Sequence, residues 1–429
     1  MTTIPELWHH LTSARWFAGK GRSPRPGSSH VLDWFVRTPG MGVRSELVEV
    51  VYPDQTSETY QLLLSYRDTV LPEAHLATLS DPDAPDEGLV HVHDALADPD
   101  ALRALADLLA AGGHSDDWTA TVSRPADLSG PVRVFGGEQS NSSLLVGRTA
   151  IVKFFRRLEP GANLDIAVHD ALGRAGVSAA ARLFGWLSTH VDGDQVDLAM
   201  VTELLPQARD GWEIATAAAG QYQDFTTDAA QLGTALASVH QALRDTFPTA
   251  RLQAGELSAA MRRRLAEAAA EAPGLVELVA ALDERFAHLS ENTVAGQRIH
   301  GDFHLGQTLL TANGWRIIDF EGEPIKSLAE RREPDSPWRD VAGMLRSFAY
   351  ATSACPDPTG ASARDWLAAC SSAFLDAYVA GTGTPLGSAE RELLEAYLAD
   401  KAVYEVVYET RNRPDWVSIP LGALRVLAG

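Results

Sequence analysis

Cysteine is nearly absent from this chain: 429 residues contain only Cys355 and Cys370. Two thiols make neither a disulfide framework nor a cysteine-based metal site, and a reducing compartment is the matching environment. Long apolar runs are absent too, and nothing approaches the roughly 18 consecutive apolar residues of a membrane helix. The opening M-T-T-I-P-E-L-W lacks the basic and apolar segments of a secretory signal. A soluble, cytoplasmic protein without a membrane partner is expected. Basic charge is also short, with Lys and Arg at 36 against 57 for Asp and Glu, a formal net charge of -21. Such a chain offers no basic footprint to a phosphate backbone, which excludes nucleic-acid binding. No internal repeat and no Walker A sequence occur.

The hydrophobic content of 45% and charged content of 22% are those of a folded protein. The length calls for two or three domains. A short helix is expected over Ile4 to Thr12, then strands in V-L-D-W-F-V-R, S-E-L-V-E-V-V-Y and T-Y-Q-L-L-L-S-Y. Asp81 to Gly88 reads as a loop, followed by a helix in A-L-R-A-L-A-D-L-L-A-A. From Val132 to Phe155 three short strands form a meander whose first turn is G-G-E-Q-S-N-S. Beyond residue 205 the pattern is helical and rich in Ala and Leu, broken once by Q-R-I-H-G-D-F-H-L-G-Q-T-L-L and W-R-I-I-D-F-E-G-E. A strand-rich first half and a helix-rich second half predict a bilobal α+β fold with a cleft between lobes.

The break in the helical half carries the chemistry. Asp302 and Gln307 in H-G-D-F-H-L-G-Q have the spacing of base and metal-binding amide in a kinase catalytic loop, and Asp319 in I-I-D-F-E follows at the end of a short strand. Phosphoryl transfer needs one carboxylate beside the attacking hydroxyl, and hard oxygen ligands to hold Mg2+ against the phosphates of ATP. Asp302 is therefore the candidate base, and Gln307 and Asp319 the candidate metal ligands. His304 reads as a packed or hydrogen-bonded side chain at the substrate, not as a catalyst.

Lys153 in A-I-V-K-F-F stands where a kinase strand carries its phosphate-binding lysine. The preceding turn lacks G-x-G-x-x-G, but Ser140, Asn141, Ser142 and Ser143 offer hydroxyls and backbone N–H groups to phosphate oxygens. Between the two halves, the strand V-D-L-A-M-V-T-E-L-L ends at Glu203 to Leu205, the candidate hinge for adenine.

With those residues in place, the chain resembles the actinobacterial maltokinase-type kinases of the aminoglycoside-phosphotransferase-like group. The resemblance runs through R-W-F-A-G-K, E-Q-S-N-S-S-L, V-K-F-F-R-R-L, H-G-D-F-H-L-G-Q, I-D-F-E-G-E-P and K-A-V-Y-E-V-V-Y-E-T-R-N-R-P-D-W. It implies a bilobal protein-kinase-like fold with an N-terminal cap over residues 1–90, an intermediate lobe over 91–205 and a helical lobe over 206–429. It assigns phosphate covering to Ser140–Ser143 and phosphate binding to Lys153, with Asp302 as base and Gln307 and Asp319 on magnesium. Two departures stand out. Ala167 occupies the place of the acid expected to pair with Lys153, leaving Asp165, His169 and Asp170 as substitutes, and Phe303 replaces the usual leucine beside the base.

Two acceptors fit this resemblance, glucosamine at its 6-hydroxyl and maltose at its anomeric hydroxyl; a third reading is a nucleotide-binding pseudokinase. Tyr404, Tyr408 and Trp416 offer aromatic faces to a sugar, while Glu409, Asn412 and Arg413 offer polar contacts. Carboxylates such as Glu323 or Glu409 would attract the ammonium of an amino sugar. Glucosamine is the expected acceptor, and the protein is expected as a monomer or a homodimer.

Overall fold

The computed structural model describes residues 4–80, 89–136, 140–289, 293–323 and 326–428. The expected loop Asp81–Gly88 and the tip of the Gly/Ser/Asn-rich turn lie outside the described residues. Two compact units emerge, Met1–Asp170 with Ala181–Pro206, and Ala171–Ala180 with Gln207–Gly429.

The first unit contains two antiparallel sheets. One runs, in spatial order, Arg25–Val31, Met41–Val51, Ser57–Arg67, Leu89–Asp94 and His75–Ser80. Its central strand is buried along most of its length because both faces are covered. Tyr60, Leu62 and Leu64 pack with Leu7 and Leu11 of the helix Pro5–Ser13. Leu63, pointing the other way, packs with Leu102 and Leu105 of the helix Pro99–Ala111. Alternation thus serves two cores, and each buried leucine stabilises by about 1.5–3 kcal/mol. Asp98 starts the second helix by accepting from Asp100 N and Ala101 N, with Pro99 in the first turn.

The second sheet runs Gly113–His114, Trp118–Val122, Leu183–Val191, Asp194–Glu203, Ala150–Phe154, Ser142–Val146 and Val132–Phe135. The last three are the meander read from the sequence. A two-residue strand, Arg157–Leu158, leaves this sheet and pairs with Thr59 and Tyr60 of the first. V-L-D-W-F-V-R is not one strand: it splits into Arg25–Val31 and Val36–Thr38. Leu32 and Phe35, three apart, both turn into the core, which a strand's alternation forbids.

The second unit is mainly helical. Thr226–Thr246 and Ala361–Thr382 pack along each other, closely enough that a Cβ on Gly233 would stand 2.2 Å from the carbonyl oxygen of Phe374. The hairpin of Thr308–Thr311 and Gly314–Ile317, extended by Arg209–Asp210, forms a small sheet. Helix Trp338–Ala351 lies directly behind the loop that precedes this hairpin. A Cβ on Gly343 would meet the carbonyl oxygen of Phe303 at 2.4 Å, so only glycine permits that approach. Among the described residues no helix is long and apolar enough to cross a membrane.

Candidate active site

The loop around Asp302 is fixed from behind by a buried carboxylate. Asp340 accepts from the backbone N–H of His300 at 2.7 Å and of Gly301 at 2.9 Å, and His240 Nε2 lies 2.9 Å away. Burial alone would push the Asp340 carboxyl up, but the His240 bond and charge, with the loop N–H groups, outweigh it and hold the carboxyl below its ordinary range. His300 ties the loop forward: its Nε2–H donates to the carbonyl of Ile318 at 3.0 Å, and its Nδ1 accepts from Asp302 N at 3.3 Å.

The hairpin explains why Gln307 and Asp319 meet although twelve residues separate them. Thr308 pairs with Ile317, and Ile318 N donates to Gln307 O at 3.0 Å, so the residues flanking the two strands become neighbours. Gln307 Nε2 reaches Asp319 Oδ2 at 3.2 Å. Asp319 has φ 64°, a left-handed conformation that costs a non-glycine residue about 1–3 kcal/mol and is held only by its surroundings. Carboxylate oxygens of Asp319 and Glu321 lie within 4.8 Å of each other. A carboxamide and carboxylates are hard oxygen donors, the set that suits a magnesium ion.

Asp302 opens onto a cavity of about 190 Å³ lined by Phe303, Glu323, Lys326, Arg339, Lys401 and Tyr404, among others. Lys401 Nζ lies 3.3 Å from Asp302 Oδ1. Burial by itself would lower the Lys401 ammonium, but Asp302, Glu323 and Glu405 together raise it above the ordinary lysine range. The ammonium is therefore charged whenever a substrate arrives. His304 Nε2 lies 3.8 Å from Asp302 Oδ2, and burial lowers its imidazole, which favours the neutral form. Glu323 receives Arg339 at 2.6 Å and Asp400, at the same cavity, receives Arg264 at 2.7 Å.

The remaining expected sugar contacts gather elsewhere on the helix Ser388–Asn412 and beyond it. Tyr404 and Tyr408 stack with centroids 6.3 Å apart, but Tyr408 does not line the cavity. Glu409 is buried, accepting from Tyr350 Oη at 3.2 Å and Arg413 at 2.7 Å. Asn412 donates to the carbonyl of Tyr408, and Arg413 stands over Tyr408 and Trp416. Glu409, Asn412, Arg413 and Trp416 thus hold the helix end together and do not line this cavity.

In the first unit Lys153 stands opposite Ser143 in adjacent strands. Its ammonium lies 3.4 Å from Asp165 Oδ2. Asp165 is set by Asn163, whose side chain accepts from Asp165 N and Ile166 N and starts the helix Leu164–Arg174. His169, one turn on, lies 3.1 Å from Asp165 Oδ1. The acid left open by the sequence is therefore Asp165. Ser140 is exposed, whereas Ser142 and Ser143 are buried at the start of their strand. Asn141 Oδ1 accepts from Arg156 N at 3.4 Å and Ser142 Oγ from Arg156 Nε at 2.9 Å. Arg156 is fully buried, which pushes its guanidinium down to about 10 against the pull of Asp94. At the expected hinge, Glu203 N donates to Arg182 O and Leu204 N to Thr149 O, while the Glu203 carboxylate pairs with Arg182 at 2.8 Å. Leu205 follows directly.

Asp340 and Lys401 were not foreseen as site residues. Lys401 opens the stretch K-A-V-Y-E-V-V-Y quoted above, which marks the segment but gives the lysine no role, and the D-V-A-G run at Asp340 reads as an ordinary helix until the helices are docked.

The pattern of the maltokinase N-terminal cap domain matches residues 10–98, and that of the phosphotransferase enzyme family matches residues 131–386, over half of the chain. The chain belongs to the phosphotransferase enzyme family. It is 32% identical over 312 residues to a glucosamine kinase of Streptacidiphilus jiangxiensis, covering 66% of this chain and 70% of that protein. It is 30% identical over 331 residues to a glucosamine kinase of Mycolicibacterium smegmatis (strain ATCC 700084 / mc(2)155), covering 68% and 78%. A solved glucosamine kinase in complex with glucosamine, ADP and inorganic phosphate superposes over 100% of both chains with a TM-score of 0.72 at 24% identity, which shows the fold. The kinase-like α+β fold with its cap, and the phosphotransferase family read from the motifs, are borne out.

Proposed function

We propose that this phosphotransferase is an ATP- and magnesium-dependent glucosamine kinase of the cytoplasm, moving the γ-phosphoryl group to the 6-hydroxyl of the sugar. The observation that carries the reading is the Asp302 loop bound to the Gln307–Asp319 hairpin: one carboxylate faces a cavity, and an amide and a second carboxylate stand together on the hairpin. Asp302 receives the hydroxyl proton as the new O–P bond forms and the bond to the ADP oxygen breaks. Lys401 holds the Asp302 carboxylate in place, and its fixed charge persists through the transfer. Gln307 and Asp319 are the residues that would hold Mg2+, which neutralises phosphate charge when bound. Lys153, kept in place by Asp165, and the segment Ser140–Ser143 are the proposed phosphate contacts; Glu203 to Leu205 are the proposed adenine contacts.

The acceptor is supported by the two glucosamine kinases at 30–32% identity. Within the cavity, the ammonium of glucosamine shares Glu323 or Asp400 with the arginine already there. Release of ADP is the test, measured with glucosamine, maltose and glucose in parallel. Turnover with glucosamine and not maltose is expected. Turnover with maltose alone overturns the acceptor, and ADP release with no sugar above the background rate overturns the kinase.

A further inference from the structure

Behind the catalytic loop lies a second cavity, of about 600 Å³, in the range of small-molecule sites. It is lined by the end of the helix Thr226–Thr246, the two-stranded antiparallel sheet of Ala250–Gln253 with Thr293–Gly296, and the start of the helix Ser388–Asn412. Its lining includes His240, Gln297, Trp338 and Tyr378, all buried. Two lining groups are left open. Arg244, half-buried, makes no ion pair among the described residues. Gln297 spends its amide N–H bonds on His240 O at 2.8 Å and Arg298 O at 3.2 Å, while its Oε1 takes no hydrogen bond among the described residues. Arg251 adds a second cation, and Glu390 and Glu392 add carboxylates at the helix start.

We propose that this cavity is an effector site for a small zwitterion, a phosphate ester that also carries an ammonium group, and that its occupancy is read by the catalytic loop. The two arginines suit the phosphate, since a guanidinium meets phosphate with paired N–H bonds. Glu390 and Glu392 suit the ammonium, and Gln297 Oε1 accepts from a hydroxyl. Coupling has a short route. His240 lines the cavity, bonds Tyr378 Oη at 2.9 Å on one side and Asp340 Oδ2 at 2.9 Å on the other. Asp340 in turn holds the N–H groups of His300 and Gly301, next to Asp302. A ligand that shifts Tyr378 or His240 therefore shifts the carboxylate on which the base loop hangs. Glucosamine 6-phosphate, the product under the function proposed above, has this chemistry, so the site would give feedback inhibition.

Calorimetric titration of the full chain with glucosamine 6-phosphate, glucose 6-phosphate and inorganic phosphate tests the site without relying on turnover. Arg244→Gln should remove one glucosamine 6-phosphate site or weaken it about tenfold, the loss of one charge-assisted contact, with kcat and KM unchanged. Ala389→Trp, at an exposed rim position, should do the same by filling the mouth without adding a charge. Equal binding by wild type and both variants overturns the site. Equal affinity for glucose 6-phosphate and glucosamine 6-phosphate overturns the ammonium contact, and equal affinity for inorganic phosphate overturns the phosphate ester. Tyr378→Phe should keep the binding and lose the fall in kcat that the ligand causes in the wild type; an unchanged fall overturns the relay. Failure of glucosamine to turn over at all would sink the acceptor reading and leave these binding measurements standing.

Discussion

Two lysine–aspartate pairs of nearly equal length, Lys153–Asp165 at 3.4 Å and Lys401–Asp302 at 3.3 Å, are built in opposite ways. The first joins a strand to the first turn of the next helix, 12 residues on, and both side chains are shielded, Asp165 at 5% exposure. The second joins a loop to the interior of a helix 99 residues away, and Asp302 keeps 24% exposure. A shielded pair is a fixture: both charges are kept from water, and removing one upsets the balance around the other. The half-open pair has an acid with room for a third party. In a site that must take a proton from an incoming hydroxyl, the acid with the opening is the one positioned to act.

Breaking that difference at its strongest point means Asp302→Asn. The amide keeps the shape and the Lys401 contact in part, but cannot receive a proton. Turnover should fall by about 10²–10⁴-fold, the usual worth of a positioned base, with nucleotide binding retained. Unchanged ADP release in this variant would place the base elsewhere. Next in size is Asp165→Asn, which takes the Asp165 carboxylate from Lys153; kcat/KM for ATP should fall about tenfold or more, read by varying ATP at saturating sugar. Adding Ala167→Glu should not rescue it. Residues two apart on a helix do not share a face, so an acid at 167 cannot stand where Asp165 stands. Recovery in the double variant would show that the helix tolerates either register. Lys401→Met should cost less, about tenfold in kcat, because Asp302 retains its backbone ties through His300 and Asp340.

The same contrast explains what the sequence made legible. Lys153, Asp302, Gln307 and Asp319 sit at spacings that a strand, a loop and a hairpin convert directly into position. The meander over Val132–Phe154 and the helix starting after Asp98 were readable for the same local reasons. Asp165 was one of three candidates because the helix register, not the residue type, decides which acid faces Lys153. The pairings of Lys401 and Asp340 were out of reach, since their partners lie 99 and 39 to 40 residues away across packed helices. Glu409 shows the same limit: its charge suggests a substrate contact, and in the fold its Oε1 accepts from Arg413 and Tyr350 away from the cavity at Asp302.

The smallest effect separates Lys401 from everything around it by pH. Its folded ammonium is raised above the ordinary value by Asp302, Glu323 and Glu405, which overcome burial and the opposing charge of Arg339. A raised lysine binds its proton more tightly when folded. Its contribution to stability is therefore complete below about pH 10.4, the unfolded value, and is lost as pH rises through the folded value. Wild-type stability should fall on the alkaline side for a second reason as well. Burial raises the phenols of Tyr350 and Tyr378, so the unfolded chain gives up those protons first. Comparing denaturation midpoints of wild type and Lys401→Met between pH 8 and 11 cancels the tyrosine part, as both proteins share it. The variant should lose less stability over that interval, and parallel curves would mean that Lys401 is no more tightly protonated in the fold than in the open chain.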